Sequence, residues 1–268
     1  MCINLYKSKA AELRLKILNL AVKKSKGHLG GTFSCLDLMV YLFYSNFLNI
    51  SKKNHNNKKR NKFILSKGHA CIAQYLILND LKIISKKTLN SYGSDGGLGA
   101  QLDINTPGVD WNTGSLGHSL GVISGMAASS DNPHKKFVTI VGDAEMDEGS
   151  VWEALAFCGE KKLSNVVVII DRNRLSVTDT LEDVGIFRDF HNIVNSLGWN
   201  SYEINGHDFI EMEKVFKKIK VSKKPVIILA NTIKGKGISF MENSIKWHHA
   251  IPTNEEYKLA EKELRNGK

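Results

Sequence analysis

The sequence predicts a doubly wound α/β fold, a mostly parallel sheet with helices on both faces. Three observations carry that expectation. Short β-branched runs recur at Phe137–Val141, Val166–Ile170, near Trp199–Ile204 and at Val226–Leu229. Segments of helical period separate them, notably Ser150 to Lys162 and Phe209 to Lys220. Continuous apolar strands alternating with helices belong to parallel sheets covered on both sides. Finally, only four prolines interrupt 268 residues, with no internal repeat or linker, so one domain over 1–268 is expected. Its ligand should lie beyond the carboxyl ends of the strands, at the sheet's switch point.

From the amino terminus, Leu13, Ile17 and Leu20 recur at helical spacing, and Leu36, Val40, Phe43 and Phe47 do so again with Ser34 as the expected cap. The run from Ser51 to Lys62 then carries Lys52, Lys53, Lys58, Lys59, Arg60 and Lys62 without an acid. It reads either as an anion-binding patch, nucleic acid included, or as a solvated connection between two helices. No aromatic residues interleave with these lysines to stack bases, which favours the connection.

Composition narrows the class. Apolar residues make up 42 % of the chain and charged ones 24 %, ordinary for a globular protein. Apolar runs such as Val166–Ile170 fall far short of the ~20 residues of a membrane-spanning helix. Lys7, Lys9, Glu12, Arg14 and Lys16 interrupt any signal-peptide core. Cys2, Cys35, Cys71 and Cys158 lie far apart with no C-x-x-C pair, so neither a disulfide framework nor a zinc site is expected, and a cytoplasmic location is. The net charge is +10.

Chemistry gathers at the strand ends. The run 137–141 leads into Gly142-Asp143-Ala144-Glu145, and the run 166–170 into Asp171-Arg172-Asn173. One strand–helix–strand unit separates Asp143 from Asn173, which can bring the two side chains together. A carboxylate, an amide oxygen and a backbone carbonyl are hard ligands suited to Mg²⁺ or Ca²⁺. Alone, the pair reads equally well as two turn caps. Three further segments pair glycine with histidine: Gly27-His28-Leu29-Gly30-Gly31, Ser66-Lys67-Gly68-His69 and Thr113-Gly114-Ser115-Leu116-Gly117-His118. Trp247-His248-His249 adds a fourth histidine cluster. Glycine lets backbone N–H groups approach a ligand closely, and histidine donates to phosphate and titrates near neutrality.

These motifs, with Lys234-Gly-Lys-Gly-Ile-Ser-Phe-Met-Glu-Asn243, resemble the amino-terminal portion of transketolases. The similarity is to the separately encoded amino-terminal subunit of split transketolases, and it extends to about Asn254. The Gly-Asp…Asn pair is common to thiamine-diphosphate enzymes, whereas the histidines and the Lys-Gly-Lys-Gly segment are similar to transketolases specifically.

The resemblance implies roles residue by residue. Asp143 and Asn173, with the Leu175 carbonyl, would bind the Mg²⁺ (or a substituting Ca²⁺) that grips the diphosphate of thiamine diphosphate. His69 and His248 would reach the diphosphate and line the cleft, and His28 would handle protons on sugar hydroxyls. Gly114 and Leu116 would contact the cofactor, beside the Gly142-Asp143-Ala144 turn. Glu148 would support a partner's contacts. Gly117, Gly121 and Gly125 would line one helix face, suited to close approach by a helix or cofactor, or to a tight core contact.

Two positions depart from the family pattern. Ala144 stands where Gly-Asp-Gly is usual, tolerable if its φ is negative. Gln101 stands where a histidine usually meets the donor's terminal hydroxyl, and Gln cannot titrate. The family's activating glutamate and pyrimidine pocket belong to a further domain. The expected protein is therefore half of an active site, pairing two-plus-two with a carboxyl-terminal subunit to move a two-carbon ketol unit between sugars or sugar phosphates. Two other readings stay open: a related enzyme that decarboxylates a 2-oxo acid and transfers the acyl carbanion, and a basic nucleic-acid-binding module.

Overall fold

The computed structural model describes residues 3–175 and 187–267. Its centre is a five-stranded, fully parallel sheet in the order β1-β2-β3-β5-β4. The strands are β1 (Lys62–Leu65), β2 (Phe137–Gly142), β3 (Val166–Arg172), β4 (Asn200–Asn205) and β5 (Val226–Asn231). Nine helices accompany them among the described residues: α1 (Ile3–Lys24), α2 (Leu29–Tyr44), α3 (Cys71–Asp80), α4 (Lys86–Asn90), α5 (His118–Ala128), α6 (Gly149–Glu160), α7 (Phe190–Ser196), α8 (Phe209–Ile219) and α9 (Asn254–Asn266).

Alternate residues of each central strand enter opposite cores. Val138, Ile140, Val167 and Ile169 pack with α1, α2, α3 and α8, whereas Val141, Val166, Val168 and Ile170 pack with α5, α6 and α7. This is why the strands read as unbroken apolar runs rather than as alternating patterns. The chain steps β1, β2, β3 in one direction, crosses to the outer edge at β4 and returns to β5. That reversal moves the crossover helix from one face to the other, as right-handed crossovers require.

Three expectations need correction. β1 is absent from the sequence reading, because four residues directly after a lysine-rich run carry too little pattern. The basic segment accordingly joins α2 to a strand rather than to a second helix. Arg60 and Lys62 are anchored on Asp110, Arg60 through two bonds of 2.7 and 2.8 Å. The second helix begins at Leu29, so Ser34 is not its cap. Ser34 is buried within it and donates to Asp171 at 2.6 Å.

No described helix is long and apolar enough to cross a membrane. Cys35, Cys71 and Cys158 are each buried and free, and Cys2 lies outside the described residues.

Candidate active site

β2 ends at Gly142, and Asp143 caps the short 3₁₀ turn Ala144–Asp147. The parallel register sets Gly142 beside Asp171, so Asn173 follows at the same sheet edge. Asp143 accepts the Arg174 N–H at 2.6 Å and the Ala144 N–H at 2.9 Å. Asn173 Oδ1 accepts the Leu175 N–H at 3.2 Å. A φ of 62° at Arg174 turns the chain back on itself there. Ala144 is not among the positive-φ residues, so its methyl group is accommodated without strain.

A cavity of about 110 Å³ opens at this edge. His69, Leu116, Gly142, Asp143, Ala144, Asn173, Leu175 and His248 line it, together with Gly31, Lys67, Glu145 and Lys234. His28 stands directly beside, its ring centroid 5.3 Å from His69 and 5.5 Å from His248. Gln101 and Gly114 lie apart from this cavity. Gln101 lines a neighbouring depression with Gly99 and Thr113, where Tyr75 donates to its carbonyl at 2.7 Å. The two regions meet at Gly68, where any Cβ would collide with Thr113 Oγ1 and Gln101 Oε1. His118 is exposed, bonded to Ser115 at 3.0 Å, and does not join the other histidines.

Four cavity-side residues, Lys67, Glu145, Asp171 and Lys234, carry no role in the sequence reading. Lys67 forms a buried ion pair with Asp171, which also accepts from Ser34 and Thr232. Glu145 is buried and accepts from Ser66 and from the N–H groups of Gly117 (2.8 Å) and Gly142 (3.1 Å). It thereby holds the turn before α5 against the end of β2. Lys234 points its Nζ at the Leu175 carbonyl, 3.3 Å away. A lysine directly before a glycine is the signal in the sequence for both Lys67 and Lys234.

The electrostatics favour a bound anion with a hard cation. Burial opposes the charge on Lys67, but Asp171 holds its pKa above the usual range. Burial, then Lys67, lowers Lys234 to about 8. Burial and Asp171 push Asp143 up to about 6, so the carboxylate lacks compensating charge. Burial drives His28 down to about 4, His69 to about 2 and His248 to about 3, which keeps all three imidazoles neutral near pH 7. His248 Nδ1 is buried with no hydrogen-bond partner among the described residues. An orphaned nitrogen, two lysines and three oxygen donors fit a diphosphate with a divalent ion of the Mg²⁺ class.

Residues 6–266 match the family described as transketolase, thiamine diphosphate binding domain. The chain belongs to the transketolase family. It is 36 % identical over 255 residues to an apulose-4-phosphate transketolase subunit of Phocaeicola vulgatus, covering 94 % of this chain and 90 % of that one. It is 32 % identical to the 6-deoxy-6-sulfo-D-fructose transketolase subunit of a Clostridium species, covering 90 % of each. The transketolase of Campylobacter jejuni superposes with a TM-score of 0.89 at 28 % identity, over 99 % of this chain but 43 % of that one. The chain thus spans less than half of a whole transketolase and nearly all of a separately encoded subunit. It is a thiamine-diphosphate-binding, amino-terminal transketolase subunit, and therefore part of a transferase.

Among the described residues, a Cβ at Gly121 or Gly125 would meet nothing within 4 Å, so no tight core contact forms there. Gly117, with φ 83°, instead packs against Glu148 and Ser150, and Glu148 itself is exposed.

Proposed function

We propose that residues 1–268 act as one domain, the diphosphate-gripping half of a split transketolase. With a carboxyl-terminal subunit, it moves a two-carbon ketol unit from a sugar or sugar-phosphate donor to an acceptor. Assembly is two copies of each subunit. Asp143, Asn173 and the Leu175 carbonyl hold Mg²⁺, and Ca²⁺ substitutes. His69, His248 and Lys234 face the diphosphate oxygens, while Gly114, Leu116, Gly142 and Ala144 shape the cofactor's bed. When bound, thiamine diphosphate supplies a carbon nucleophile able to accept and release the two-carbon unit.

This chain's residues bind, orient and manage protons. His28 and His248, neutral near pH 7, accept or donate at sugar hydroxyls in the cleft. Gln101 offers a neutral hydrogen bond to the donor. Two similar split subunits carry names that specify an apulose phosphate and a sulfo-sugar. With Gln101, those names support a donor outside the common ketose phosphates.

The observation that carries the reading is the convergence of Asp143, Asn173, Leu175, His69, His248 and Lys234 on one cavity. The test is ketol transfer by the purified chain, by its co-encoded partner and by the two mixed, with Mg²⁺ and thiamine diphosphate. Turnover should need both chains. Turnover by this chain alone overturns the division of the site.

A further inference from the structure

His28, immediately before α2, and the adjacent His248 and His249 form a second cluster at the cleft mouth. One ligand nitrogen from each lies within 4.8 Å of the other two. His249 is the exposed member, with its ring centroid 4.7 Å from His28 and 4.5 Å from His248. A tetrahedral ion with bonds of about 2.0–2.1 Å sets its nitrogens roughly 3.4 Å apart. Ligand atoms up to 4.8 Å apart must draw together on binding, and the exposed His249 has the most room to move.

The surroundings also suit ligation. The His69 backbone lies against the His28 ring, and a backbone carbonyl is the partner that commonly fixes the ring of a metal-bound histidine. His248 retains a buried nitrogen without a partner. The donors are three imidazoles, which select zinc-like ions rather than Mg²⁺. Lys234 and Lys67 act on His248 with positive charge and oppose a cation, but Asp171 neutralises Lys67.

We propose that His28, His248 and His249 form a binding site for a first-row divalent ion of borderline softness, Zn²⁺ being the best match, distinct from the oxygen-donor site at Asp143. The exposed side of His249 leaves a fourth position for water. Occupancy would engage the imidazoles assigned above to the sugar and, through His248, to the diphosphate, so Zn²⁺ would compete with substrate and cofactor; that consequence alone rests on the proposed function.

The test is calorimetric titration of Zn²⁺ into the chelator-stripped full chain without cofactor, with Co²⁺ as a visible-absorption probe. One Zn²⁺ should bind per chain, excess Mg²⁺ should not displace it, and Co²⁺ should give the intense bands of a four-coordinate site. His249→Gly should lower Zn²⁺ affinity at least about tenfold while keeping the wild-type melting temperature. His28→Asn should weaken binding in the same way, and the surface change His134→Gln should not. Unchanged affinity in both His249→Gly and His28→Asn, displacement by Mg²⁺, or no binding at micromolar Zn²⁺ overturns the assignment. None of these readouts depends on ketol transfer, so failure of either reading leaves the other standing.

Discussion

Lys67 and Asp171 form an ion pair that spans the end of β2, the two side chains only 3 % and 0 % exposed. Lys67 follows β1 and Asp171 belongs to β3, so the pair brackets the strand end from which Asp143 projects. The same aspartate that holds Lys67 charged also repels Asp143.

Lys67→Met should destabilise the chain by about 3–5 kcal/mol, because Asp171 would keep its charge in a buried site with only the Ser34 and Thr232 hydroxyls and the Asn173 amide, 3.5 Å away, as donors. Adding Asp171→Leu to that variant should recover most of the loss. Urea unfolding of both variants checks this, and a double variant no more stable than Lys67→Met would contradict it.

Asp143→Asn should move stability and cofactor affinity in opposite directions. Removing a buried carboxylate beside Asp171 relieves repulsion, so the free chain should melt at a higher temperature. The amide still accepts the Arg174 N–H, so the turn should survive. Mg²⁺-dependent binding of thiamine diphosphate should meanwhile fall by about two orders of magnitude, since the only charged ligand of the proposed metal set is gone. Calorimetry and thermal melts on the same samples separate the two effects.

The histidine cluster should make the chelated free chain acid-sensitive. His28, His69 and His248 titrate at about 4, 2 and 3 when folded, against a usual value of 6.5. Between pH 6.5 and about 4 the unfolded chain therefore binds more protons than the folded one, and stability falls as the pH drops. His69→Asn should shrink that loss. A wild-type melting temperature independent of pH across this window would refute the assignment.

Gln101→His should change donor preference in the assembled enzyme. One hydrogen bond is worth on the order of 1 kcal/mol, so the expected effect on kcat/KM for xylulose 5-phosphate is a gain of roughly fivefold. Use of pyruvate should be negligible for both forms. Efficient use of xylulose 5-phosphate by the wild type, unchanged by the histidine, would return the donor to the ordinary class.

Local pattern carries much of the site. Asp143 and Asn173 are legible because a single strand–helix–strand unit separates them and each follows an apolar run. His28 and His69 are legible through their glycine neighbours, and His248 through the adjacent His249. β1 is not, because its four residues adjoin a charged run. Ser34 misleads because a polar residue inside a buried helix resembles a cap when its distant partner is unknown.

Chain order and apolar pattern were enough for the parallel sheet and for placing Asp143 and Asn173 at one edge of it, since these depend on periodicity and on contacts within one crossover. The Lys67–Asp171 pair, the bonds from Ser66 and Gly117 to Glu145 and the meeting of His28 with His248 and His249 depended on the folded arrangement. These partners lie far apart in sequence, and no local propensity encodes which charges share a buried cavity. Their protonation states follow from the desolvation that packing imposes on them, so both their pairing and their chemistry arise from how the sheet and helices close around the strand ends.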